Sequence, residues 1–150
     1  AGGWQLNEEF AQEIGRCNRL VEHIEDLLIL GTPVNLAAND AGTVLTGTDG
    51  EELWEKPCVW TGCLLCGPEA LMVAVANHIP ARVSGDLQLT PAQDFTVTIT
   101  LPDYMPGATV EEVTEDGFRP VPSQIIDNSV VLHIDQVVSG KVFVIRRVAS

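Results

Sequence analysis

Positive charge is scarce in this chain. Its 150 residues hold 8 Lys and Arg against 21 Asp and Glu, a formal net charge of −13. Only Lys56 and Lys141 are lysines, and the one basic doublet is Arg146-Arg147. A surface that binds DNA, RNA or anionic lipid needs clustered Lys and Arg, so neither nucleic acid nor membrane is an expected partner. Long apolar runs are missing as well. The longest, residues 70–76, falls far short of the ~18–20 residues of a spanning helix. Catalytic signatures are equally thin. No Gly-x-Ser-x-Gly elbow and no His-Glu-x-x-His occurs, and Gly42, Gly47 and Gly50 sit among turn residues with no helix after them. The expectation is a chain that is not itself an enzyme and takes no cofactor.

The 45% apolar content is that of a globular protein. A chain of this length suits one domain and buries roughly two thirds of its unfolded surface. It starts Ala1-Gly2-Gly3-Trp4, without Met and without a basic segment leading into an apolar one. That start is read as the trace of processing or of excision from something longer.

One helix comes first. Asn7 is a good N-cap, and Glu8 and Glu9 suit the positive end of the helix dipole. Phe10, Ile14, Cys17, Val21, Ile24 and Leu28 recur at spacings of 4, 3, 4, 3 and 4, one continuous stripe that Leu20 and Leu27 widen. Gly31 as a C′ residue and Pro33 beyond it stop the helix near Leu30. Glu13, Arg16, Arg19, Glu22 and Asp26 fall on the face opposite the stripe. The helix, residues 7–30, needs a partner for its apolar side: the strands that follow, another helix, or a neighbouring domain.

After Pro33 the period shortens to that of strands. Residues 43–46 lie between turn clusters. The apolar runs 53–65 and 70–77 flank Cys66-Gly67-Pro68-Glu69, which reads as a hairpin. Phe95, Val97, Ile99 and Leu101 alternate with threonines, the pattern of a half-buried antiparallel strand. Residues 109–114, 118–121, 130–134 and 142–148 follow, separated by Glu115-Asp116-Gly117, Asp127-Asn128 and Ser139-Gly140. With no helices between the strands, the fold class is mainly β: an antiparallel β-sandwich of about eight strands behind one long N-terminal amphipathic helix, in one domain spanning 1–150.

Four cysteines stand at 17, 58, 63 and 66. A zinc site wants ligand pairs on converging loops, whereas Cys58 and Cys63 are five apart on strand-like sequence and face opposite ways. No metal site is assigned, and buried free thiols are expected. A disulfide is not deducible from the spacing. Acidic pairs such as Glu51-Glu52 and Glu111-Glu112 lie on strands, where adjacent residues cannot cooperate as glycosidase carboxylates do. Asp40, Asp49, Asp116 and Asp127 lie in turns without the spacing of a calcium loop.

Aromatic residues are few, 5% of the chain. Sugar rings stack on flat aromatic faces, and the candidates for such contact are Trp54, Trp60 and Tyr104. The two tryptophans are six apart and share a face if the strand is unbroken, although Pro57 marks an edge or a bulge.

Several stretches resemble known text. Glu13-Ile14-Gly15-Arg16-Cys17-Asn18-Arg19-Leu20, continuing to Leu27-Leu28-Ile29-Leu30-Gly31-Thr32-Pro33-Val34, resembles the segment that closes the catalytic barrel of some multi-domain glycoside hydrolases. Ala70-Leu71-Met72-Val73-Ala74-Val75-Ala76-Asn77-His78 is similar to an early strand of the C-terminal β-sandwich in such proteins. Residues 95–102, Val110-Glu111-Glu112-Val113-Thr114-Glu115-Asp116-Gly117 and Gly140-Lys141-Val142-Phe143-Val144-Ile145-Arg146 resemble its later strands. The likeness lies in strands, turns and caps and carries no catalytic residue across. It implies an accessory sandwich of an extracellular or periplasmic carbohydrate-active protein, with the catalytic domain of the same parent as partner. The alternatives are a carbohydrate-binding module using exposed aromatics, a small metal or redox protein using the cysteines, and an oligomerisation or adhesion module.

Overall fold

The computed structural model describes residues 8–46, 54–77, 80–83, 86–89 and 91–148, with side chains described outside 9–10, 44–46, 54–56 and 80–89. The Asn7 cap, the turn at Thr48-Asp49-Gly50, Glu51-Glu52, Leu53 and His78 lie outside these residues, as do the side chains of Phe10 and Trp54. The elements in chain order are α1 (Glu8–Leu30), β1 (Gly31–Val34), β2 (Ala37–Asn39), β3 (Thr43–Thr46), β4 (Trp54–Pro57), β5 (Val59–Cys66), β6 (Ala70–Asn77) and β7 (Pro80–Val83), then β8 (Asp86–Leu89), β9 (Ala92–Thr100), β10 (Ala108–Thr114), β11 (Gly117–Pro120), β12 (Gln124–Ile126), β13 (Ser129–Val137) and β14 (Gly140–Arg147).

Two antiparallel sheets form the body. One runs β1-β5-β6-β14-β10-β11 and the other β12-β13-β9-β2; β3-β4 and β7-β8 are separate two-stranded pairs. The sandwich therefore has ten strands, more than the eight read from sequence. The additions are short: β1, β2 and β12 carry too few residues to show a period. The run 53–65 is two strands, because the chain bends at Cys58 and β4 pairs with β3 while β5 joins the large sheet.

The hairpin at Cys66-Gly67-Pro68-Glu69 forms as expected, with Cys66 opposite Ala70 and Gly67 at φ +71. That conformation suits a residue without Cβ. Asp127 and Asn128 both have positive φ, 48° and 66°, and close β12 onto β13 in a two-residue turn whose twist matches the strands. β9 alternates as its sequence demands: Phe95, Val97, Ile99 and Leu101 are buried and the threonines between them are not.

There are two cores. The larger fills the space between the sheets, from Val59, Leu71, Val73, Phe143 and Ile145 on one side to Val97, Ile99, Leu132 and Ile134 on the other. The smaller joins Leu20 and Ile24 of α1 to Cys66, Ala70, Met72, Val113 and Val144 on the outer face of the six-stranded sheet. The order of layers is helix, sheet, sheet.

Two expectations about α1 are corrected. Glu13 and Arg16 are half-buried and do not lie opposite the stripe, while Arg19 is exposed as that placement implies. The first two border the buried line and tie the helix to the sheet, Arg16 Nη2 donating to Gly140 O at 2.6 Å; the exposed Arg19 reaches Glu115 Oε2 from the surface at 2.9 Å. Gly31 does not cap the helix in a left-handed conformation. It opens β1 opposite Cys66, and a Cβ there would stand 2.9 Å from Leu64 Cδ1. At this close approach of the helix end to β5, a side chain would have to push Leu64 aside.

Candidate functional site: an apolar groove between the helix and the sheet

The apolar stripe of α1 is wider than the contact it makes. Leu20 and Ile24 are buried and Leu27 half-buried, whereas Ile14, Val21 and Leu28 stay exposed along one edge. Helical geometry explains the split. At about 3.6 residues per turn, 20, 24 and 27 form one line and 14, 21 and 28 the next. A helix resting on a nearly flat sheet buries only the first.

Below the exposed line lies the outer face of β5, β6 and β14. The register sets rows across it: Gly62 opposite Ala74, and Ala74 opposite Val142; Leu64 opposite Met72, and Met72 opposite Val144. The row nearest the opening carries small side chains. A groove of ≈ 470 Å³ results, bounded by Val21, Ile24 and Leu28 on the helix and by Leu64, Met72 and Val142 on the sheet, with no charged residue among its lining.

Trp60 shares the face of Gly62 and Leu64, because strand residues two apart point the same way. It sits 61% exposed, opposite Ala76 in the next strand. Tyr104, 41% exposed, belongs to the connection from β9 to β10. The row of Trp60 and Ala76 meets β14 at Gly140, its first residue, whereas the Tyr104 connection leads to Ala108, opposite Arg147 at its last. The two aromatics therefore stand at opposite ends of the sandwich and do not build one platform. Trp54 belongs to β4, in a different sheet from Trp60.

Polar contacts set the angle of α1 over this face. Arg16 Nε donates to Glu13 Oε1 at 2.9 Å, and Ser139 Oγ donates to the same oxygen at 2.6 Å. With its only proton committed there, Ser139 accepts from the Cys17 thiol, 3.2 Å away. The Arg16 hydrogen bond holds the Glu13 carboxyl below its ordinary pKa, against the opposing effect of burial and with help from Ser139. The same pairing raises the pKa of Arg16.

The thiols are free, as read from sequence. Cys63 and Cys66 are buried, and Cys17 and Cys58 half-buried. Burial, and next the neighbouring Cys66, push the Cys63 thiol up to about 11; burial also raises that of Cys66. The raised pKa leaves little of either thiol as thiolate, the nucleophilic form. Among the turn aspartates, Asp40 accepts from the Thr96 amide at 2.6 Å.

One cluster escaped the sequence reading. His133 Nε2 lies 3.2 Å from Asp135 Oδ1 and 3.8 Å from Asp94 Oδ1, with all three residues exposed. Asp94 has φ 52, and the β9–β13 ladder skips it between Phe95 and Gln93. The signal available was His133-x-Asp135 on one face of a strand, but its cross-strand partner depends on register. Among the described residues no buried group fixes the trio, which is a surface charge cluster. Nearby, a cleft of ≈ 390 Å³ includes His133, Asp135, Arg119, Lys141 and Glu112. Glu112 is bridged by Arg119 at 3.1 Å and Lys141 at 3.6 Å.

No family model matches the chain, and no curated protein matches it by sequence. Its fold, however, is found in a solved structure. The likeness is to α-L-fucosidase isoenzyme 2 from Paenibacillus thiaminolyticus, with a TM-score of 0.52 and 11% identity over 76% of this chain. The chain spans only 16% of that protein's length. At such low identity the likeness concerns the fold. Among the described residues no helix is long and apolar enough to cross a membrane.

Proposed function

We propose that this chain is a non-catalytic accessory β-sandwich of an extracellular or periplasmic carbohydrate-active protein of glycoside-hydrolase type. It stabilises or positions a catalytic domain of the same parent. The observation that carries this reading is the apolar groove, where a helix holds one line of side chains on its own sheet and leaves a parallel line open. Contiguous exposed apolar surface of this kind marks interaction sites. The fold likeness to part of an α-L-fucosidase supports the carbohydrate context. The acidic surface, at −13 overall, agrees with a partner that is neither nucleic acid nor membrane.

A second reading has its own observation. Trp60 is 61% exposed above a small-residue floor, which suits the stacking of a sugar ring in a carbohydrate-binding module.

Two assays on the purified chain separate these readings. A panel of nitrophenyl glycosides, α-L-fucoside included, is expected to give no turnover; turnover that follows the purified chain through successive chromatography steps and is lost on its unfolding would overturn the accessory reading. A tryptophan-fluorescence titration with soluble oligosaccharides and polysaccharides is expected to show no saturable shift. A saturable shift with one glycan class, lost in Trp60→Ala, would establish the binding-module reading instead.

A further inference from the structure

We propose that the groove between α1 and the outer face of the six-stranded sheet receives an amphipathic helix carrying Lys or Arg beside its apolar face. This deepens the accessory reading and rests on it, with the neighbouring domain supplying the helix.

The spacing of the open line identifies a helical occupant. Ile14, Val21 and Leu28 are seven residues apart and exposed. A seven-residue repeat presents knobs at the interval of a second, gently supercoiled helix. Of this line Val21 and Leu28 border the groove, seven residues and about 10 Å apart at 1.5 Å per residue, so two turns of a partner would span them. On the sheet side a Cβ built on Gly62 meets nothing within 4 Å, and Ala74 beside it is exposed. That row leaves room for a helix to lie down.

Charge identifies the flank. Going round α1 away from its buried line, the charged residue next beyond Val21 and Leu28 is Glu25, which is exposed, while Glu22 faces directly away from the sheet. The basic residues lie on the other flank and are engaged there: Arg16 with Glu13 and Gly140 O, Arg19 with Glu115, and His23 with the Glu115 carbonyl. No basic residue occupies the last turn, so nothing there offsets the negative end of the helix dipole. The lining of the groove is thus apolar, and Glu25 stands at its outer rim. A second copy of α1 would bring like charges together; a helix flanked by Lys or Arg brings opposite ones.

The test uses two labelled synthetic helices of about four turns, both with Leu and Ile at heptad positions. One has Lys on the flanks and the other Glu. Fluorescence anisotropy against the whole chain is expected to show the Lys peptide binding at least roughly ten-fold more tightly at low salt, with the gap closing as salt screens it. Leu28→Asp is expected to abolish binding with a small fall in melting temperature, since it adds an acid at the negative end of the helix dipole, and Val21→Ala, which leaves that end alone, is expected to weaken binding with the melting temperature unchanged. Glu25→Lys is expected to shrink the preference, and Glu22→Lys, on the far side of the helix, to shrink it less. No binding by either peptide, or equal binding by both, overturns the proposal and leaves the glycoside assays untouched. Dimerisation of the chain that Leu28→Asp disrupts would also overturn it, by giving the groove to a second copy.

Discussion

Ser139 and Glu13 stand 126 positions apart in the chain, and their side chains meet at 2.6 Å. The contact locks the β13–β14 turn to the first half of α1. Arg16 completes it by donating both to Glu13 and to the Gly140 carbonyl. Helix and sheet are thus joined by a half-buried polar clamp at one end and by the Leu20–Ile24 contact further along.

The clamp makes stability depend on acid. Arg16 chiefly, and Ser139 with it, hold the Glu13 carboxyl below its ordinary pKa. A depressed folded-state pKa adds stability that is complete above the unfolded value of about 4.3 and is lost as pH falls through the folded value. Glu13→Gln is expected to cost about 1–2 kcal/mol at neutral pH and to flatten the acid limb below roughly pH 5. Urea midpoints across a pH series check this. Identical acid limbs in the two proteins would show that the clamp contributes nothing.

The two lines of α1 differ in energy. Leu20 and Ile24 are 2% and 3% exposed, so truncating either to Ala is expected to cost about 2–5 kcal/mol. Val21→Ala, on the open line, is expected to change stability by less than about 0.5 kcal/mol in the isolated chain. Denaturant unfolding of the three variants measures the contrast, and equal losses would contradict the packing.

Gly31 is a packing glycine. Its Cβ would press on Leu64 and stand 3.3 Å from the Leu28 carbonyl oxygen. Gly31→Ala is expected to cost about 1–3 kcal/mol. Leu64→Ala in the same chain should recover part of that loss, a coupling that a double-mutant cycle reads directly. Strict additivity would deny the contact.

The thiols should sort by depth. Burial and the neighbouring Cys66 raise Cys63 to about 11, so at pH 8 about one thiol in a thousand is ionised there. Maleimide labelling of the native chain, mapped by mass spectrometry, is expected at Cys17 and Cys58, with Cys63 and Cys66 reacting only after unfolding. Early labelling of Cys63 would mean that the inter-sheet core opens readily.

Much of the fold was legible because its signals are local. The 3.6-residue period of α1, the alternation of Phe95–Leu101 and the turn chemistry at Gly67 and at Asp127-Asn128 each arise from a few neighbouring residues. The short strands β1, β2 and β12 were not legible, because three or four residues do not establish a period. The candidate site was half legible. The stripe on α1 announced a helix in need of a partner, but nothing in it said that Leu20 and Ile24 would be covered while Val21 and Leu28 stayed open.

Sequence alone determined the class of the protein: one amphipathic helix, then an antiparallel all-β body, strongly acidic. Periodicity and composition are properties of neighbours along a chain, and they need no register. Tertiary structure decided the rest. It set Trp60 and Tyr104 at opposite ends of β14, moved Glu13 and Arg16 into a clamp, turned Gly31 from a cap into a contact and split one apolar stripe into a buried line and an open one. Each of these follows from which strand lies beside which and from the small width of contact between a cylinder and a sheet, and both are fixed only when distant segments pack.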